Sequence, residues 1–402
     1  MAVSNPDKNG DKVKIRGIWT WGSDGYGRLG QGTINKHLLT PQKVLGLEGK
    51  VITSIACGSA HTIITCYKTD DGKEGEIGCY SWGKCHFGML GHNELEIDQS
   101  IPLQLTVLGD IKEKVRSVGC GQSFSFLVTE GGGTYSWGCG YYGALGHGNE
   151  TSLLTPKRIE GLKGEKVKSI RGGAFHSIAL TEDGKVFSWG RDHMGQLGLA
   201  PLSGTSKVRL NHKTPEQVIL PSTATKISTF CNHSMILMED QILLSFGDNT
   251  HEQLGHKMPS YDANKDLKKG KEECRVMILS EKELETYIPI LDMACGTSHS
   301  LAVTTCNKLY SWGNNSNGAL GRNDLDKEPK QVKVGDVKFV GVSAGHEFSL
   351  ALSIDKKVYS WGENYLSKLG RENKTEFPEE VKGLENIDEI ICAENHCTAL
   401  EF

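Results

Sequence analysis

The chain of 402 residues balances 45 Lys and Arg against 49 Asp and Glu, a net charge of -4, which excludes the broad positive field of a general nucleic-acid or anionic-membrane binder. Hydrophobic residues make up 37% of it and 49 positions are glycine, so the chain is core-forming but punctuated by turns more often than long helices tolerate. No apolar run approaches the roughly 18 residues of a membrane-crossing helix, so no membrane insertion is expected.

In chain order, residues 1–14 read as a flexible polar segment without the apolar stretch of a secretory signal. A cytoplasmic or nuclear protein, not a secreted one, is expected, with its 12 Cys as reduced thiols. The cysteines are dispersed along the chain instead of crowding a short framework, which argues against a disulfide scaffold.

From residue 15 a pattern begins to recur. An aromatic-Gly pair ends a strand-like stretch at Trp21-Gly22, Trp82-Gly83, Trp137-Gly138, Trp189-Gly190, Phe246-Gly247, Trp312-Gly313 and Trp361-Gly362. The mean interval is about 57 residues, near the upper end of the range for propeller blades. A Leu-Gly follows each pair, as at Leu29-Gly30 and Leu197-Gly198, and a ring residue precedes each, at His61, Phe124, His176, His233, His299, Phe348 and, for the first pair, His396 at the other end of the chain. Between ring residue and aromatic the chain alternates apolar and polar positions around a tight turn, as in His176 to Thr181, Asp183-Gly184 and Lys185 to Trp189. Such a stretch reads as two antiparallel strands joined by a hairpin that needs positive φ.

A small antiparallel sheet cannot bury both faces alone, so neighbours stack, and a closed ring leaves only short protected edges. The chain starts inside a strand ending at Trp21 and stops just after one beginning near His396, so each terminus is expected to supply the part of a blade that the other lacks. The expected fold is all-β: one seven-bladed propeller of antiparallel sheets over residues 15–402, its ring closed by pairing of N- and C-terminal strands. Insertions are expected near 66–78, 200–214 and 256–282. The fifth repeat is degenerate, with Phe246 for Trp and no Gly before His233, and Ser280 with Glu283 is placed to cap a short helix through Glu285.

The order Gly172 to His176, Trp189-Gly190, Gly195 to Gly198 and Pro215 resembles the repeat of the regulator of chromosome condensation family, and the resemblance runs from about Ile15 to Phe402. It implies the propeller. It does not by itself imply one function, because similar propellers serve as exchange factors for the Ran GTPase, as ciliary trafficking proteins, as modules of ubiquitin ligases and as a plant ultraviolet receptor. Ran exchange factors of the family carry acids in the ring-residue turns of the second and third repeats and a wedge after the third aromatic-Gly pair. Here those turns read Gly121, Gln122, Ser123, Phe124 and Gly173, Ala174, Phe175, His176, and the loop Cys139 to Gly143 is minimal. The receptor's tryptophan cluster is not available either, since six of the seven Trp occupy the repeat position and only Trp19 stands beside them. No residues are left over for a ligase's catalytic domain, so the expectation on that branch is a substrate-binding part.

Several chemical motifs yield to plainer readings. Gly138, Gly140 and Gly143 match a dinucleotide fingerprint, but the next residues continue a turn of the repeat where a helix is required. His251, Glu252 and His256 have one residue too many for a zinc-protease helix face. Asp262, Asn264, Asp266 and Glu273 take calcium-loop spacing, with Leu267 where the loop needs glycine. Cys57 and His61, Cys295 and His299, and Cys392 and His396 recur in different blades, which reads as buried Cys and a His bonding to backbone between blades. No nucleophile elbow or phosphate loop is present, so no catalytic residue, metal or cofactor is expected.

Candidate partner-binding residues are those that vary between equivalent positions. Tyr26, Phe87, Tyr142 and Met194 precede the glycine of consecutive Gly-x-Leu-Gly turns and form an apolar arc if those turns share a face. The alternative is that each tucks into its own loop. Lys207, Arg209 and Lys213, with Lys268, Lys269 and Lys271 of the next insertion, form a charged docking surface if the two loops lie side by side. The leading expectation is a non-catalytic scaffold or adaptor for protein partners, within a larger assembly or alone. The alternative is a guanine-nucleotide exchange factor for a Ran-like small GTPase, acting by binding the nucleotide-free state. An enzyme working in the central channel would require a metal or perturbed acids there.

Overall fold

The computed structural model describes residues 17–70, 73–93, 97–106, 111, 113–199, 210–255, 275–277, 289–324 and 326–402. These form seven four-stranded antiparallel sheets. Six are sequential, as in blade 4, where Val167–Gly172, His176–Thr181, Val186–Gly190 and His212–Val218 follow one another from inside to outside. Blade 1 is composite: the inner strands Ile387–Cys392 and His396–Glu401 come from the end of the chain, and Gly17–Gly22 and Leu38–Lys43 from the beginning. Thr20 pairs with Thr398 and Gly22 with His396, so the ring is closed by the pairing expected from sequence.

The repeat markers each have a place in this register. Every ring residue stands directly across from the glycine of the aromatic-Gly pair: His61 from Gly83, Phe124 from Gly138, His176 from Gly190. Those glycines have φ near +100°, which a side chain resists, and a Cβ on Gly83 would come within 2.3 Å of the Ala60 carbonyl oxygen. The aromatic of the pair is buried in the joint with the preceding blade, and its indole N–H donates to a carbonyl of that blade's turn: Trp82 to Arg28 at 3.0 Å, Trp137 to Met89 at 3.1 Å, Trp189 to Ala144 at 2.8 Å and, across the seam of the ring, Trp21 to Lys368 at 3.0 Å. Phe246 has no such donor.

Seven hydrophobic clusters account for the core, one per joint. The joint between blades 3 and 4 packs Phe124, Phe126 and Val128 against Ile170, Phe187 and Trp189. Each blade thus buries one face against each neighbour, and among the described residues every joint is filled by apolar side chains. Outer strands carry proline at Pro41, Pro102, Pro156, Pro215 and Pro378, which removes edge N–H groups that would pair with another chain. In blade 2 the hairpin strands His61–Asp70 and Lys73–Gly83 are about twice the length of their equivalents, so the extra residues near 66–78 extend a hairpin.

Candidate protein-interaction face

The inner strands line a central channel, and all the turns that end in ring residues open on one face. The turns after the aromatic-Gly pairs lie on the same face, because the backbone N–H of Arg191 donates to Phe175 and that of Lys84 to Ala60. Tyr26, Phe87, Tyr142 and Met194 are therefore on one face of consecutive blades 1 to 4. Three of them have left-handed backbone, Tyr26 at φ 70°, Phe87 at 58° and Tyr142 at 58°, a conformation that costs a bulky residue about 1–3 kcal/mol.

These rings reach across joints instead of tucking into their own loops. Phe87 meets Tyr141 of the next blade edge-on at 5.2 Å, and Tyr142 meets Phe175 of the following one at 5.1 Å. Lys84 lies over the Tyr26 ring at 4.4 Å, and Arg191 over Tyr142 at 4.8 Å. Substantial area remains open, with Tyr26 40%, Tyr141 48% and Met194 41% exposed. The sequence reading missed Tyr141, Phe175, Lys84 and Arg191. Lys84 and Arg191 share the position directly after the aromatic-Gly pair, which was a signal available to it.

The other candidates fall elsewhere. Lys213 belongs to the outer strand His212–Val218, where it pairs with Glu150 at 2.9 Å, and His212 pairs with Glu216 at 2.6 Å. Neither is part of a free basic loop, a correction to the charged-insertion reading: strand pairing of His212 with Gly190 claims these residues. Lys207, Arg209, Lys268, Lys269 and Lys271 lie outside the described residues, as do residues 1–14, His256, the calcium-spaced acids 262–273 and the helix expected from Ser280 to Glu285. Gly138, Gly140 and Gly143 form a turn ending in a single 3-10 turn, Tyr141–Gly143. Among the described residues no three His, Cys, Asp or Glu side chains converge as metal ligands.

The repeat histidines form a second network under this face. His61 Nε2 lies 2.9 Å from Ser125 Oγ of the next blade, and Ser125 donates its proton to the Met89 carbonyl at 2.8 Å. The imidazole must therefore donate from Nε2. His233 with Ser300, and His299 with Ser349, repeat the arrangement, and His176 meets Ser234 in the same way. The partner is a hydroxyl, where a backbone group was expected, because in these four joints a serine follows the ring residue of the next blade and faces the joint. Burial lowers these imidazoles to about 3 for His61, His176 and His299 and about 4 for His233, so they are neutral structural donors.

In the channel, of about 450 Å³, Arg171, Lys226, Asp292 and Glu389 face one another from blades 4, 5, 6 and 1. Lys226 pairs with Asp292, whose other oxygen accepts from the Val342 N–H at 2.9 Å. Burial, together with the Asp292 charge and against Arg171 and Lys226, pushes the Glu389 carboxyl up to about 7. A perturbed acid, one of the two features an enzyme working in the channel would require, is thus present there. The nearby hydroxyls are engaged as acceptors, Ser228 from the Cys295 N–H at 3.1 Å and Ser343 from the Cys392 N–H at 2.7 Å. Burial also raises the thiols of Cys57, Cys120 and Cys295, which keeps them protonated and weakly nucleophilic. The acid has neighbours that tune it and none among the described residues that is activated to react.

Fold and face together define a closed repeat propeller with an aromatic patch on one face and a narrow, charged channel. Residues 14–274 match the RCC1-like domain, and residues 307–352 and 355–400 match the regulator of chromosome condensation (RCC1) repeat; the chain belongs to this family. It is 30% identical over 306 residues to the ultraviolet-B receptor UVR8 of Arabidopsis thaliana, covering 76% of this chain and 62% of the receptor. It is 36% identical over 196 residues to the E3 ubiquitin-protein ligase HERC2 of Homo sapiens, covering 48% of this chain and 4% of the ligase. The chain thus spans less than two thirds of the length of either relative. Among solved structures, Prp20p of Saccharomyces cerevisiae, described with its binding to Gsp1p and histones, superposes with a TM-score of 0.78 at 23% identity over 96% of this chain and 92% of its own. Human WBSCR16 gives 0.78 at 20% identity over 96% and 100%. Both show the shared fold.

Proposed function

We propose that the protein is a non-catalytic interaction propeller that docks a protein partner on the face bearing Tyr26, Phe87, Tyr142 and Met194. The observation that carries this reading is the backbone strain under three of those residues. A glycine or asparagine would relieve the left-handed turn, yet bulky rings occupy it and leave part of their surface in water. A rigid ring of blades supplies a pre-organised platform, so little ordering entropy opposes binding.

Affinity capture with the wild-type chain and with a Phe87→Ser, Tyr142→Ser double variant tests it. Proteins enriched by the wild type and lost with the variant support the face. The exchange-factor alternative has its own readout, release of labelled GDP from Ran and other small GTPases. The second and third ring-residue turns present Gln122 and Ala174 with Phe175, and Gln122 Nε2 donates to Glu394 across the channel mouth at 3.3 Å. No carboxylate is carried at either turn to act on a bound GTPase, so flat release is expected.

A further inference from the structure

The docking face is electrically divided, and the division narrows the class of partner. The position directly after the aromatic-Gly pair is Lys84 in blade 2 and Arg191 in blade 4, but Asp248 in blade 5 and, in blade 7, Glu363, which pairs with the buried Lys368. The ring-residue turns follow the same split, with Ser59, Gln122 and Phe175 in blades 2 to 4 and Glu347 in blade 7, while Glu394 of blade 1 accepts from Gln122 at 3.3 Å across the channel mouth. On the aromatic side the turn acids are consumed internally. Asp24 accepts from Thr33 at 2.7 Å and from the Leu29 N–H at 3.3 Å, and Asp192 accepts from the Leu197 N–H at 3.0 Å; both are buried.

Lys84 and Arg191 are different. Each lies over a neighbour's ring, Lys84 over Tyr26 and Arg191 over both Tyr142 and Phe175. Neither side chain has a carboxylate partner among the described residues. A cation over an aromatic ring spends none of its N–H donors on a conventional acceptor there, so they stay available to an anion. Beside them Phe87, Tyr141 and Met194 offer apolar area.

Resting on the reading of this face as a docking surface, we infer that its occupant on blades 1 to 4 is an acidic peptide segment of a partner protein, bearing apolar side chains among its carboxylates. The carboxylates meet Lys84 and Arg191, and the apolar side chains pack between Phe87, Tyr141 and Met194. Asp248 of blade 5 and Glu347 of blade 7 repel the same segment and fix its direction across the face. A nucleic-acid strand fits less well, because the cations already cover the Tyr26 and Tyr142 rings that bases would stack on, and the turns of blades 5 and 7 carry Asp248 and Glu347.

The test is fluorescence anisotropy with three labelled probes: a synthetic peptide of Asp and Glu interspersed with Leu and Phe, the same peptide with Lys and Arg for the acids, and a mixed-sequence single-stranded DNA. The expected result is saturable binding of the acidic peptide alone, weakened about tenfold or more by Lys84→Glu with Arg191→Glu and by Phe87→Ser, and weakened by added salt. Circular dichroism and an unchanged thermal midpoint identify variants that remain folded. Phe87-dependent binding of the basic peptide or the DNA overturns the charge class and leaves the face standing. Acidic-peptide binding that survives both sets of substitutions removes the docking site from this face and sinks both readings. Absence of binding by any probe overturns the peptide inference, while the capture experiment separately decides the face.

Discussion

Trp137→Ala tests how the ring is held together, because its cost follows from a single joint. Trp137 is fully buried between blades 2 and 3, among Ala56, Ile63, Val118 and Leu127, and donates to the Met89 carbonyl. Burying a tryptophan removes about 150–250 Å² from water, which at about 25 cal/mol per Å² is roughly 4–6 kcal/mol. Truncation is therefore expected to cost about 3–5 kcal/mol. Trp137→Phe separates the two contributions: it keeps most of the ring and removes the donor. Met89 O still accepts from Ser125 Oγ at 2.8 Å, so no acceptor is orphaned and the loss should be about 1 kcal/mol from the hydrogen bond plus a small packing term. Urea unfolding followed by tryptophan fluorescence and circular dichroism gives both values if the slope is unchanged. A loss below about 1 kcal/mol for Trp137→Ala would refute the claim that the repeat tryptophans lock the joints.

Other outcomes follow from the same geometry. The folded His61, His176, His233 and His299 have values near 3 to 4, against an ordinary 6.5, so the unfolded chain binds their protons first. Their contribution is complete above pH 6.5 and is lost as pH falls toward 3, by about 1.4 kcal/mol per pH unit for each; urea midpoints should drop steeply below pH 6.5, and a flat profile would contradict neutral buried imidazoles. Glu389 has the opposite sign: its value is raised to about 7 from an ordinary 4.5, so its stabilising protonated form is present below pH 4.5 and lost as pH rises through 7. Glu389→Gln should accordingly stabilise the protein by about 1–3 kcal/mol at pH 8 and have little effect at pH 4.5; destabilisation at pH 8 would mean that attraction to Arg171 and Lys226 outweighs burial. Release of labelled GDP from Ran and a panel of small GTPases should not accelerate with catalytic amounts of the protein, and an acceleration would make exchange its activity.

The blade count, ring closure and joints were legible because the repeat is enforced by backbone geometry. Only glycine fits opposite His61 or Phe124, where a Cβ would strike the facing strand, so Gly83 and Gly138 mark the register in the sequence itself. The turn Asp183-Gly184 was equally readable, and Gly184 takes φ 79°. Contacts between blades were not. His61 and Ser125 are 64 residues apart, and nothing in the local pattern distinguishes a hydroxyl partner from a backbone one. The arc of Tyr26, Phe87 and Tyr142 was visible as variation at a fixed position, but the cations stacked on it come from adjacent turns and become partners only once blades are placed side by side. Lys213 was misread for a related reason: the start of an outer strand after a long insertion has no marker, and only pairing with Gly190 assigns His212 and Lys213 to the sheet. The channel charges sit on four inner strands far apart in sequence, so Glu389 had no visible perturber.

The most direct measurement is quantitative capture of bound proteins by three forms of the chain: wild type, Phe87→Ser with Tyr142→Ser, and Ile219→Ser. Ile219 is 86% exposed and follows the outer strand of blade 4 at the end away from the aromatic turns, so it controls for loss of exposed apolar surface. The account predicts that specific partners of the wild type are retained by Ile219→Ser and lost by the double variant. Partners retained by the double variant and lost by Ile219→Ser would contradict it.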